Sequence, residues 1–379
     1  MHDDNHARRE FLKAACALAA AGTGLLGGTP AQAGPHTAGE THAAGSRMLT
    51  RIGFGSCIKQ NKEQPIWETV LAAKPELFVF LGDNIYGDTR DMAVLSQKYA
   101  QQASQPGFRK LRETVPHLAM WDDHDYGEND AGSEYPMKEE SRRMFCDFWN
   151  EPADSPRRTR DGIYASHVFG PRGRRVQIIM PDLRFNRTPL LKLDLGGRDY
   201  DAWSKEQELA GKPIPGPYVR NPDRNATMLG ERQWQWLEAQ LRVPAEIRIV
   251  ASSLQVLADF PGWEGWINYS RDHQRLIELI RKTRANGVVF TSGDTHYGEF
   301  SLLDVNVPYP LWDMTASGIT EVWPVLPPND NRVGPAVREA NFGMLEIEWG
   351  KAPKLHLQIR NVKGETVISR TLDLNALRG

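Results

Sequence analysis

Short apolar runs along this chain of 379 residues stop abruptly at polar clusters, and helical patterns lie between them. Residues 77–81 are wholly apolar, lie between Pro75 and Gly82, and are too few for a helix, so they predict a buried strand. Ahead of that run, Ile66, Trp67, Val70 and Leu71 share one face of a helix with Pro65 in its first turn. Leu49, Ile52 and Phe54 mark a strand before it, which completes a β-α-β unit. Further strands are predicted at 117–120, 163–169, 175–180, 247–251 and 288–290, and the tail adds 299–305, 311–315, 341–349, 355–360 and 366–372. Gly170-Pro171-Arg172-Gly173 reads as the turn of a hairpin between 163–169 and 175–180. Helical patterns cover 91–113 (surface-facing), 137–149, 230–241 and 271–284. Residues 186–228 are rich in Pro, Gly and charge without a sustained period, and so long a connection usually lines or covers a site. The expected class is α/β.

Composition narrows the function classes. With 40% hydrophobic and 25% charged residues the chain has a globular profile, and a net charge of −2 gives no hint of a nucleic-acid-binding surface. Three cysteines, Cys16, Cys57 and Cys146, exclude a disulfide scaffold, although the last two could form one bridge. Arg8-Arg9, an apolar run to Gly28 and Ala31-Gln32-Ala33 together predict a twin-arginine export signal over 1–33. That run is short and glycine-rich for a stable membrane anchor. A polar linker, 34–46, follows, and the folded domain is expected over 47–379. The partner implied is the Tat export machinery, and the expected location is the periplasm or the outside of the cell.

The chemistry lies at the strand ends. Gly82-Asp83-Asn84-Ile85-Tyr86 follows one strand, Asp122-Asp123-His124-Asp125 another, and Gly293-Asp294-Thr295-His296 a third, while Cys57 follows the strand of Leu49, Ile52 and Phe54. In an α/β sheet these ends share one edge, where ligands bind. Asp and Asn can also serve turn backbones, and Cys57 alone is as readily a small buried apolar residue. A dense carboxylate cluster argues for a cation, because two ionised groups roughly 4 Å apart interact by about 4 kcal/mol at an effective dielectric near 20. Asp83 could touch two such ions. Several of the tryptophans, including Trp121, Trp263, Trp266, Trp312 and Trp323, neighbour polar clusters and read either as pocket walls or as ordinary packing.

Gly55-Ser56-Cys57, Leu81-Gly82-Asp83-Asn84-Ile85-Tyr86, Trp121-Asp122-Asp123-His124-Asp125 and Ser292-Gly293-Asp294-Thr295-His296 resemble the PhoD-like alkaline phosphatases of the calcineurin-like metallophosphoesterase superfamily. Asp182-Leu183-Arg184, the 229–237 segment and Ser252-Ser253-Leu254-Gln255 extend the resemblance over about residues 50–345. It implies a four-layer α/β/β/α sandwich over 47–379, here without the β-sandwich domain that precedes the catalytic domain in many PhoD enzymes. It also implies Cys57, Asp83, Tyr86, Asp123, Asp294 and His296 as metal ligands, with Fe(3+) and Ca(2+), or else Zn(2+) or Mn(2+). His124 is then the catalytic imidazole, and Asp125 is expected to hold its other ring nitrogen. Asn84, Asn129 and Arg184 are candidates for substrate contacts.

The activity implied is hydrolysis of phosphate monoesters by attack of a metal-bound hydroxide on phosphorus. The alternatives are a phosphodiesterase or phospholipase-D-like hydrolase of the same fold, or a metal- or phosphate-binding protein without turnover.

Overall fold

The computed structural model describes the backbone of residues 42–43 and residues 47–379 apart from 213, 215, 260 and 261. In chain order the strands are β1 (His42–Ala43), β2 (Arg51–Gly55), β3 (Leu77–Leu81), β4 (His117–Met120), β5 (Ala165–Phe169), β6 (Val176–Met180), β7 (Leu191–Lys192) and β8 (Tyr218–Val219). They continue as β9 (Ile247–Ser252), β10 (Val288–Ser292), β11 (Gly298–Leu303), β12 (Leu311–Ala316), β13 (Asn341–Glu348), β14 (Lys354–Asn361) and β15 (Thr366–Asp373). One sheet has the order β1-β5-β6-β9-β10-β12-β11, a second β15-β14-β13-β2-β3-β4, and β7 pairs with β8 apart from both.

Each sheet has a parallel centre. In the second sheet β2, β3 and β4 run parallel, so Cys57, Asp83 and Asp122–Asp125 all follow strands that finish at the same edge. In the first, β6, β9, β10 and β12 run parallel and deliver Asp182, Ser253, Asp294 and Ser317 to their ends. Hydrogen bonds stitch the two edges together, because the Ile319 and Thr320 amides, just past β12, donate to the Ser56 and Cys57 carbonyls at 3.2 and 3.1 Å.

Every residue of β3, β6, β9 and β10 is buried, as expected of strands covered on both faces. Side chains of both sheets join one apolar core, and helices close the outer faces. Trp67, on the helix Ile66–Ala72, packs its ring against Phe78 and Phe80 of β3 and Phe108 of the helix Pro106–Thr114, at centroid distances of 5.7, 6.0 and 5.9 Å. Burying such a phenylalanine contributes about 1.5–3 kcal/mol. On the opposite side, Gln177 of β6 donates to the Gln240 carbonyl of the helix Glu231–Leu241 at 3.0 Å. The result is the expected α/β/β/α sandwich. The far edge of the second sheet is thinner, since β14 alternates buried with partly exposed positions.

Two expectations change in detail. The 91–113 pattern divides into the helices Met92–Ser104 and Pro106–Thr114, because Gln105 before the proline adopts an extended backbone. These helices are not simply surface elements, for Leu95, Tyr99, Gln102, Phe108 and Leu111 are buried. The stretch 186–228 contains a ten-residue helix, Tyr200–Leu209, with no buried side chain. Cys57 and Cys146 are both buried and free, so the possible bridge is not formed. The signal at 1–33 lies outside the described residues, as does the linker apart from His42–Ala43, whose backbone pairs with His167–Val168. Among the described residues no helix is long and apolar enough to cross a membrane.

Candidate metal centre

Four candidate ligands sit where the backbone turns most sharply. Cys57, Asp83, Asp294 and His296 have φ of 63°, 49°, 72° and 61°, a left-handed conformation that non-glycine residues seldom adopt. Such strain persists only where the surroundings hold it, and it gathers at functional sites. Two glycines let the loops approach. A Cβ on Gly82, whose φ is +101°, would lie 2.6 Å from the Asp122 Cβ, and one on Gly293 would lie 2.7 Å from the Ser56 Oγ.

Asp83 is the shared member of two clusters. Its carboxylate groups with Cys57 and His296, and also with Asp123 and His124, each set having ligand atoms within 4.8 Å of one another. Asp122, Asp123 and Asp294 form a third set on the same criterion. The Cys57 Sγ stands 3.4 Å from the Asp83 Oδ2 and 3.1 Å from the Ser317 Oγ. The Tyr86 hydroxyl is hydrogen-bonded to the His296 Nε2 at 3.0 Å. The Asp83 Oδ1 and Asp122 Oδ2 are buried without a hydrogen-bond partner.

The electrostatics agree with a cation site. Burial, reinforced by neighbouring acidic groups, pushes Asp83, Asp294 and the Tyr86 phenol well above their ordinary ranges. Burial also raises the Cys57 thiol to about 12 and lowers His296 to about 4, which favours the neutral imidazole that a metal ion needs. Thiol, phenol and carboxylates would all ionise readily beside a multivalent cation, and the orphaned oxygens would find a partner. The residues fit such an ion.

A second network holds the carboxylates in place. Asp182 accepts the amides of Arg184 and Phe185 at 2.8 and 3.0 Å, which fixes the turn that carries Arg184 inward. The wholly buried Arg184 guanidinium donates to the Asp122 Oδ1 at 2.6 Å and makes a two-pronged pair with Glu264 at 2.9 Å. It also reaches the Asp123 Oδ1 at 3.4 Å. Arg187 pairs with Glu264 as well. Burial opposes ionisation of Asp123, but His124 and Arg184 outweigh it and keep this carboxyl below its usual range.

Two sequence expectations are corrected here, the roles of Asp125 and Arg184. Asp125 does not hold His124. It accepts the amides of Asp122 at 2.6 Å, Asp83 at 3.2 Å and Asn84 at 3.3 Å, and so shapes the loop that carries Asp83. The ring nitrogen of His124 is taken instead by Asp88, with Nδ1 2.7 Å from Oδ1. Burial lowers the imidazole, yet Asp123 and Asp88 raise it more, to about 9. Arg184 is enclosed by carboxylates and has no open face for substrate. The Asn84 side-chain nitrogen donates to the Met120 carbonyl at 2.8 Å and to Asp125, its Oδ1 is buried without a hydrogen-bond partner, and Asn129 lies exposed on a turn. Asp88, Glu264 and Arg187 were not anticipated. A second Gly-Asp five residues after Asp83 was a visible signal for Asp88, whereas Glu264 lies in a run without periodicity.

The sequence matches the family of PhoD-like phosphatases over residues 52–340. Alkaline phosphatase D of Bacillus subtilis (strain 168) is 26% identical over 226 residues, which cover 55% of this chain and 36% of that protein, so the match spans little more than a third of the relative's length. The solved structure of PhoD superposes with a TM-score of 0.62 at 16% identity, covering 89% of this chain and 72% of the other. Purple acid phosphatase PPD1 from yellow lupin (Lupinus luteus) superposes with a TM-score of 0.55 at 14% identity, covering 88% and 55%. At these identities the two structures share the fold.

Asp125 and Asp88 are separable by mutation. Asp125→Ala should lower both melting temperature and metal content, because three buried amides lose their acceptor at about 1–3 kcal/mol each. Asp88→Asn should keep wild-type metal content. Elemental analysis with thermal denaturation checks both, and full metal loading in Asp125→Ala would contradict the loop role.

Proposed function

Because the chain belongs to the PhoD-like phosphatase family, we propose that it is a metal-dependent phosphoesterase that hydrolyses phosphate monoesters. The observation that carries this reading is Asp83, which lies at once with Cys57 and His296 and with Asp123 and His124. Cys57, Asp83, Tyr86 and His296 would hold one ion, and Asp83, Asp123 and Asp294 a second. Thiol and phenol donors suit Fe(3+), and an all-oxygen set suits Ca(2+), with Zn(2+) or Mn(2+) as alternatives. When bound, the ions would neutralise the phosphate oxygens and make water acidic enough to serve as nucleophile.

The protein's own groups orient and exchange protons. Asp88 occupies the Nδ1 of His124, which leaves Nε2 to donate. As the bond from phosphorus to the leaving oxygen breaks, His124 gives that oxygen a proton, and the attacking water loses one to solvent. The Tyr86 ring, 4.1 Å from the imidazole centroid, limits its tilt. Arg184 and Glu264 act behind this layer by holding Asp122 and Asp123 at their positions.

Export belongs to the same proposal. Arg8-Arg9 and the small-residue motif before Gly34 support passage through the Tat machinery to the periplasm or beyond the cell. Replacing Arg8 and Arg9 with Lys should retain the chain in the cytoplasm in cell fractionation, and unaltered export would remove Tat from the account.

Purified without added metal, the protein should show a violet absorption band and contain iron. It should hydrolyse a monoester faster than the bis-ester of the same alcohol. Preference for the bis-ester would move the assignment to phosphodiesterase, and metal-loaded protein without turnover would leave only binding. His124→Ala should lower kcat by about 10²–10⁴-fold with metals retained. Loss of metal in that variant would make His124 a ligand instead.

A further inference from the structure

Two half-buried tryptophans stand beside the metal centre without belonging to the buried core. Trp263 and Trp323 come from different loops, and their rings meet edge to face at 4.6 Å and 84°. The buried core does not include them, whereas Trp67, Trp121, Trp234 and Trp266 are wholly buried. Each member of the pair is tied to a different part of the site. The backbone amide of Trp323 donates to the carbonyl of His296 at 2.9 Å. Trp263 directly precedes Glu264, whose carboxylate groups with Asp123 and Asp130 within 4.8 Å. The ring pair therefore joins the loop of His296 to the loop of Glu264.

The wall continues into the long connection. Tyr200 places its ring edge to face on Trp263 at 6.3 Å and 86°, and Trp203 lies 5.9 Å from Tyr200. Both belong to the helix Tyr200–Leu209, which buries no side chain, so this helix has no core of its own to explain it. The connection is fastened beside the same loop, since the Tyr218 amide donates to the Gly262 carbonyl at 2.9 Å and its hydroxyl donates to Asp130. On the other flank, Val322 and Val325 are exposed next to Trp323. Glu321, the nearest acid in sequence, is paired with Lys62 at 2.8 Å. The surface so formed is aromatic and aliphatic, beside a cluster that is densely charged.

We propose that Trp263 and Trp323, extended by Tyr200 and Trp203, form a subsite for the organic group of the ester, and that the preferred substrates are monoesters of flat, apolar alcohols such as phenols. The inference rests on the phosphoesterase reading. A charged cluster engages the phosphoryl end of any ester and cannot distinguish the alcohols, whereas stacking and edge contacts on aromatic rings favour a planar apolar group. The substrate would thus lie with phosphate toward Asp83 and ring toward the tryptophan pair.

The test compares phenyl phosphate with methyl phosphate in wild type, Trp263→Ala and Trp323→Ala. The ratio of kcat/KM for the two esters cancels general damage to the centre. It should fall about tenfold in each variant and recover in Trp323→Phe. Because Trp323 binds His296 through its main chain, the substitution keeps that hydrogen bond. Calorimetric binding of phenylphosphonate and methylphosphonate to the metal-loaded protein gives a readout that needs no turnover. If no ester is hydrolysed yet phenylphosphonate binds tighter and loses that advantage in the variants, the subsite stands and the reaction falls. A ratio within twofold of wild type in both variants, or equal affinity of the two phosphonates for wild type, overturns the subsite. Should Trp263→Ala fail to fold, Trp323→Ala and Tyr200→Ala decide the matter by the same ratio.

Discussion

Mutual repulsion among buried carboxylates is the constraint on which the rest of this molecule depends. Asp83, Asp122 and Asp123 are almost wholly buried at one sheet edge, with Asp294 beside them, and Arg184 and Arg187 are already committed to Glu264 and its neighbours. Burying an unpaired charge costs several kcal/mol, on the order of a third or more of a typical domain's net stability. Protonation offers one resolution, and burial does drive Asp83 and Asp294 that way. A cation offers the other, and the thiol of Cys57 and the phenol of Tyr86 beside the carboxylates favour it.

The sandwich makes this concentration of charge possible. Two sheets with parallel centres deliver their strand ends to one seam, and fully buried strands behind that seam resist its tendency to spread. The left-handed backbone at Cys57, Asp83, Asp294 and His296 is the local cost of aiming four side chains at one place. The amides that converge on Asp125 and the carboxylates that converge on Arg184 hold the loops in that shape.

The strands were legible because short apolar runs bounded by Pro or Gly have few other solutions, and their polar ends pointed to the correct edge. Tyr200–Leu209 is not legible in the sequence for a physical reason, since a helix that buries nothing carries no apolar period. Adjacency in sequence suggests Asp125 as the partner of His124. On a single helical turn, however, consecutive side chains diverge, and Asp88 arrives from the loop after β3. Arg184 looked like a phosphate-binding cation because its carboxylate partners lie 61, 62 and 80 residues away, and no local pattern announces them.

The central claim is that Asp83 is shared between two cations. Anomalous diffraction from crystals of the metal-loaded protein tests it most directly. The account predicts two ions, both within about 2.0–2.6 Å of an Asp83 carboxylate oxygen, one of them also near Cys57 and the other near Asp123. A single ion, or two ions of which only one touches Asp83, would contradict it.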